Sequence, residues 1–123
     1  MQHLFLKRFV AVGIGGFFGG ALRELLSLVI QLPMFPLATV IINLTGTFIS
    51  AFLAVIWAKK ITLAQPVADF IMIGVLGAYT TYSTAILDVV THTFWISASY
   101  LMVQIIGGVL MVYLARGLAN KVV

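Results

Sequence analysis

Gly74-Val75-Leu76-Gly77-Ala78-Tyr79-Thr80-Thr81-Tyr82-Ser83-Thr84 decides how this chain folds. It lies inside a hydrophobic stretch, about 67–91, that otherwise reads as a membrane span. Glycines and clustered hydroxyls are poor helix formers. In hydrocarbon, a broken backbone survives only where protein buries it or it lines a cavity. Such interrupted helices are where membrane proteins hold ions. The segment therefore predicts a broken helix near Gly77 to Thr80, with Tyr82 opening the second half. Freed carbonyls there suit a hard cation. The edge of the Tyr82 ring carries positive quadrupole and can face a small anion. The hydroxyls of Thr81, Ser83 and Thr84 are further close donors. The plain alternative is a kinked packing helix.

The surroundings of this segment are equally apolar. The chain has 123 residues, of which 63% are hydrophobic and 8% charged. A soluble domain carries about 25% charged residues, so this composition predicts an integral membrane protein. A span needs about 20 apolar residues. Stretches at about 5–30, 37–58, 67–91 and 94–115 qualify, and Pro33 and Pro36 separate the first two. The expected architecture is a single all-α membrane domain over residues 1–123, with four transmembrane helices and the third one broken. Lys7 and Arg8 precede the first apolar run, which we read as the cytoplasmic start of a span. So small a bundle has little interior, which predicts an oligomer.

Four spans put both termini on one side. Lys7, Arg8, Lys59, Lys60, Arg116 and Lys121 gather there, against Arg23 alone on the other. This imbalance predicts cytoplasmic termini, one fixed orientation and a place in the cell membrane.

Chemistry-bearing residues are few. Cysteine is absent, which excludes thiol catalysis and thiolate metal sites. No nucleophile–base pair, phosphate loop or paired catalytic carboxylates appear, so an enzyme is not expected, and nucleic acid is not an expected partner. His3 and His92 read as surface residues. Gly15/Gly19 and Gly16/Gly20 are GxxxG pairs, which let helix backbones approach closely. Arg23, near the outer end of span one, either snorkels, pairs with Glu24 or another carboxylate, or stands at the mouth of an anion pathway. Thr39, Asn43 and Thr47 share one face of span two. They form either interhelical hydrogen bonds, worth about 0.6 kcal/mol on average, or a polar track for an anion. Tyr100 and Gln104 are four apart on span four and either continue a polar face or bond a neighbouring helix.

Taken together and in order, three segments resemble the Fluc (CrcB) family of fluoride channels. They are Gly15-Gly16-Phe17-Phe18-Gly19-Gly20-Ala21-Leu22-Arg23, Thr39-Val40-Ile41-Ile42-Asn43-Leu44-Thr45-Gly46-Thr47-Phe48, and the segment quoted first with Gly74 at its head. The resemblance implies an antiparallel dimer of four-helix subunits with two narrow fluoride pores. It implies a central sodium ion held by backbone carbonyls, here those of Gly77 and Thr80. It also implies that Asn43 and the aromatic positions of span three line the pores, and it matches Arg23 to the arginine of the first motif. The expected function is passive export of fluoride from the cytoplasm. One departure stands out: Tyr82 and Ala85 occupy positions where the family carries phenylalanine. An antiparallel homodimer needs one sequence to insert both ways, whereas this chain is strongly biased. Bias and departure together predict a heterodimer with a homologous, oppositely oriented partner. The rival readings are a small multidrug transporter, which would need an embedded carboxylate in span one, and a partner subunit that does not itself conduct.

Overall fold

A computed structural model describes all residues, Met1–Val123, and they are helical almost throughout. Helix α1 covers Gln2–Val29 and α2 covers Leu37–Lys59, with the turn at Pro33 and Pro36 between them. The third span is composite. It begins as α3 (Gln65–Asp69), widens into a π-helical turn (Phe70–Val75) and continues as α4 (Leu76–Tyr79). After a break it resumes as α5 (Ser83–Thr91). Helix α6 covers Phe94–Val122. Four helices are thus long and apolar enough to cross a membrane. At 29 residues, α6 would be roughly 43 Å long, well beyond the ~30 Å hydrocarbon layer. Its last turns, from Arg116 to Lys121, carry cations past the apolar run.

Only 16 of 123 residues are buried, so the subunit has too little interior to enclose a pore by itself. Its large apolar side chains face outward, as expected where lipid is the solvent. Two helix pairs dominate the packing: α2 with α6, and α1 with the first half of the third span. Ala115 and Ala119 on α6 are fully buried, and their small side chains let the α2/α6 pair close up.

The α1 pairing uses one of the two GxxxG motifs and not the other. A Cβ at Gly15 would run into Phe70 O, and one at Gly19 would run into Val75 O. From the opposite side, a Cβ on Gly74 would lie 2.9 Å from Gly15 Cα and 2.9 Å from Val12 O. The position of each missing Cβ is that of a glycine α-hydrogen, so those of Gly15 and Gly19 point at carbonyls of the π-helical turn and that of Gly74 at Val12 O of α1. Such Cα–H···O contacts contribute perhaps 0.5–1 kcal/mol each. Gly16 and Gly20, one residue further round the helix, meet nothing within 4 Å.

At the end carrying the termini, Arg8 and Asp69 form an ion pair, and Gln65 Nε2 donates to the other Asp69 oxygen at 2.8 Å. Asp69 is buried, and these partners satisfy its carboxylate while fastening the start of the third span to α1.

The third span opens at the C-terminal edge of the expected range. Gly77 remains helical, within α4, and the chain leaves the helix at Thr80–Tyr82. Thr80 adopts extended backbone, φ −76° and ψ 155°, and no residue in the chain has positive φ. The break thus requires no glycine at its turning point; a β-branched threonine is at home in extended backbone.

Candidate functional site

The break is held by a side chain from another helix. Asn43 on α2 donates from Nδ2 to Thr81 O at 2.9 Å. Its Oδ1 accepts the Thr81 N–H at 2.8 Å. One amide side chain therefore pairs both polar groups of one peptide residue. This uses one of the two amide protons of Asn43 and leaves the other to donate elsewhere. The ends of the break are closed by threonines. Thr80 donates twice to Leu76 O, from its N–H at 3.1 Å and its Oγ1 at 3.0 Å. Thr81 Oγ1 accepts the Thr84 N–H at 3.2 Å, capping the first turn of α5. Tyr82 O accepts from Ile86 N–H at 3.0 Å.

Room for this arrangement comes from Gly46, one turn along α2 from Asn43. Any Cβ there would collide with the Thr80 methyl and come within 3.2 Å of the Tyr79 ring. Tyr79 is itself buried and shares a hydrogen bond of 2.8 Å with Thr45 Oγ1.

Several carbonyls at the break are left over, those of Gly77, Ala78 and Thr80 among them. No hydrogen bond is accepted across the break by the oxygens of Gly77 or Thr80. Gly77 is also exposed on the subunit surface. Carbonyl oxygens are hard donors of the kind a hard cation takes. The expected pair of sodium-binding carbonyls is thus chemically suited to that ion.

Beside the break lies an open groove of about 740 Å³ between α2, α5 and α6. Asn43, Thr47, Thr80, Thr81 and Tyr82 line it, together with Ser50, Ala85 and Gln104. Tyr82 is 80% exposed, so its ring projects away from its own subunit. Ala85 places a methyl next to it. Thr39 and Thr84 line a different cavity of about 360 Å³, with Asp88, towards the α1–α2 turn. Arg23 and Ser83 line neither. Arg23 has no ion pair with Glu24, since the chain's one ion pair is Arg8–Asp69. Thr47 Oγ1 donates to Asn43 O at 2.7 Å, so in this arrangement its proton is already used and it offers the groove lone pairs.

The span-four polar residues connect the two cavities. Tyr100 is fully buried. Its hydroxyl donates to Asp88 Oδ2 at 3.1 Å and accepts from Gln104 Nε2 at 3.0 Å. Gln104 faces the groove and Asp88 the smaller cavity. The four-residue spacing of Tyr100 and Gln104 hinted at a shared face, but nothing local to either residue names Asp88 as the third member. Tyr100→Phe removes the central hydroxyl and strands two polar partners, which costs about 1–3 kcal/mol. The expected result is a lowered thermal midpoint in detergent, with a smaller loss for Gln104→Leu. An unchanged midpoint in Tyr100→Phe would show that the hydroxyl is not needed to hold α5 against α6.

His92 is only partly exposed. It caps α5, with Nδ1 against Asp88 O at 2.7 Å, while His3 is exposed. No group of three or more histidine, cysteine or carboxylate side chains is placed to hold a metal ion.

Comparison with known proteins matches residues 10–116 to the family described as CrcB-like protein, Camphor Resistance (CrcB). The chain is 36% identical over 115 residues to a fluoride-specific ion channel FluC 2 of Carboxydothermus hydrogenoformans, covering 90% of this chain and 86% of the relative. It is 37% identical over 117 residues to a FluC 2 of Listeria monocytogenes, covering 92% and 91%. It is 37% identical over 121 residues to a fluoride-specific ion channel FluC 1 of Latilactobacillus sakei, covering 94% and 90%.

Proposed function

The chain belongs to the CrcB-like family, an ion-channel rather than an enzyme family, and from that premise we propose that it is a subunit of a passive fluoride-selective channel. The observation that carries this reading is the break at Thr80–Tyr82, clamped by Asn43 and opening on a polar groove.

Fluoride is small and tightly hydrated, and an unpaired ion in hydrocarbon costs tens of kcal/mol on a Born scale. Close donors must therefore replace water along its route. The groove supplies the spare Nδ2 proton of Asn43, the Thr81 hydroxyl, and the ring edge and hydroxyl of Tyr82. The hydroxyls of Ser83 and Thr84 and the lone-standing charge of Arg23 extend the set beyond the groove. No group on the chain supplies an energy source, so fluoride moves down its own gradient, which in an acid-loaded cell means outward.

The groove is open along one side, and burial is too slight for a pore inside one subunit. A second subunit, packed antiparallel, closes it. The carbonyls of Gly77 and Thr80 and their counterparts in that subunit would hold a sodium ion. When bound, the cation supplies positive charge that offsets repulsion between anions and ties the two breaks together.

Three observations favour a homologous partner over a second copy. Six cations at one end against Arg23 at the other favour one orientation, with both termini in the cytoplasm. Ala85 offers an anion no ring edge. The numerals in FluC 1 and FluC 2 fit organisms that keep more than one such protein. Ala85 also supports a second reading, in which this subunit completes a channel whose conducting pore is lined mainly by its partner. The transporter rival loses ground, because Glu24, the one carboxylate of α1, is exposed rather than embedded in a site.

The test is fluoride efflux from liposomes, read with an electrode and with chloride as control. Alone the chain is expected to be silent; with a co-expressed second subunit it conducts fluoride and not chloride. A tag at either terminus is expected to be reached from the cytoplasmic side only. Fast efflux from the chain alone, or tags reached equally from both sides, would overturn the heterodimer. Proton-coupled export of cationic drugs without fluoride flux would overturn the channel.

A further inference from the structure

The groove that passes Asn43 and Thr81 continues towards the end of the bundle where both termini lie. Ala51 and Val112 line it and also line a second cavity, about 470 Å³, between α2 and α6. That cavity finishes at Lys59, Arg116 and Asn120. Lys59 Nζ donates to Asn120 Oδ1 at 2.7 Å, which fixes the ammonium at the lip. Arg116 has no side-chain hydrogen bond and no ion pair. The one acid at this end, Asp69, is occupied by Arg8, while Glu24 and Asp88 lie towards the opposite end. The positive charge of Lys59 and Arg116 is therefore unneutralised by any side chain, and it sits where the groove opens.

Deepening the channel reading on which it rests, we propose that Lys59 and Arg116 form an anion-gathering mouth at this end of the groove. Topology alone asks for cations anywhere near the span ends; here two converge on the cavity that leads to Asn43. Charges of one sign along low-dielectric walls focus the field and raise the local concentration of the opposite ion. The opposite end of the chain carries only Arg23, which does not line the groove. The mouth is consequently one-sided, and its effect on flux depends on direction.

The experiment uses the conducting channel, with its second subunit where one is required, in bilayers of zwitterionic lipid. Lys59→Gln with Arg116→Gln is expected to lower fluoride flux entering from the terminal end by about 3- to 10-fold at ~10 mM ionic strength, the low end of steering effects. At ~0.5 M salt the loss shrinks to less than about twofold, because the charges are screened within a few ångströms. Flux in the reverse direction falls less, and Arg116→Lys keeps most of the wild-type rate. An equal loss in both directions and at both salt levels would mean a packing role and overturn the proposal, as would no loss at low salt. A loss confined to bilayers containing anionic lipid would assign the two cations to headgroups instead and likewise overturn it. If wild-type protein fails to conduct with any partner, the channel reading itself fails, which is a separate result.

Discussion

Asn43→Asp is expected to lower fluoride flux at least about a hundredfold in the reconstituted channel. The arithmetic starts from the clamp on Thr81. A carboxylate still accepts the Thr81 N–H, but it has no proton for Thr81 O, which now faces a negative oxygen. Leaving that carbonyl unsatisfied costs about 1–3 kcal/mol. The spare donor of Asn43 is lost as well, and a fixed negative charge stands in the anion's route. A combined barrier of roughly 3 kcal/mol or more corresponds to that hundredfold loss. The measurement is initial efflux rate per channel, with size-exclusion and circular dichroism confirming that the variant is assembled. Asn43→Ala separates the contributions: it removes clamp and donor without adding charge, so its loss should be smaller than that of the aspartate. Wild-type flux in a folded Asn43→Asp channel would remove Asn43 from the pathway.

Gly19→Val is expected to prevent the subunit from folding as described. The new Cβ is driven into Val75 O, which is backbone of the facing helix and cannot rotate away. Overpacking a tight contact costs about 1–3 kcal/mol even where side chains yield, and here the α1 contact with the π-helical turn must separate. The readout is loss of the monodisperse peak in detergent, or a large drop in thermal midpoint. Gly16→Ala is the control, since nothing lies within 4 Å of the position. Equal behaviour of the two variants would show that α1 and the third span are not packed through Gly19.

That contrast also shows what a sequence can and cannot carry. The two GxxxG pairs are identical as patterns and differ by one residue of register, a turn of about 100°. Only the position of the third span tells Gly15/Gly19 from Gly16/Gly20. The four spans and the unusual third one were legible, because length, hydropathy and the hydroxyl cluster are local properties. The sequence places the opening near Gly77 to Thr80. The chain opens at the far end of that range, at Thr80, where Asn43 pairs with Thr81 from 38 residues away. The π-helical turn, the space left by Gly46, and the Asp88–Tyr100–Gln104 connection are likewise products of packing between distant segments. No periodicity within one segment encodes them.

The double hydrogen bond between Asn43 and Thr81 has one more consequence. A side-chain amide that both donates to and accepts from one residue acts as a single rung of a strand pair. With threonines closing both ends, the interruption is pinned at three points. It is a splint rather than an open joint, because Asn43 ties the unwound residue itself to α2. In the proposed channel, such a splint would favour throughput that follows the fluoride gradient without a trigger at this depth.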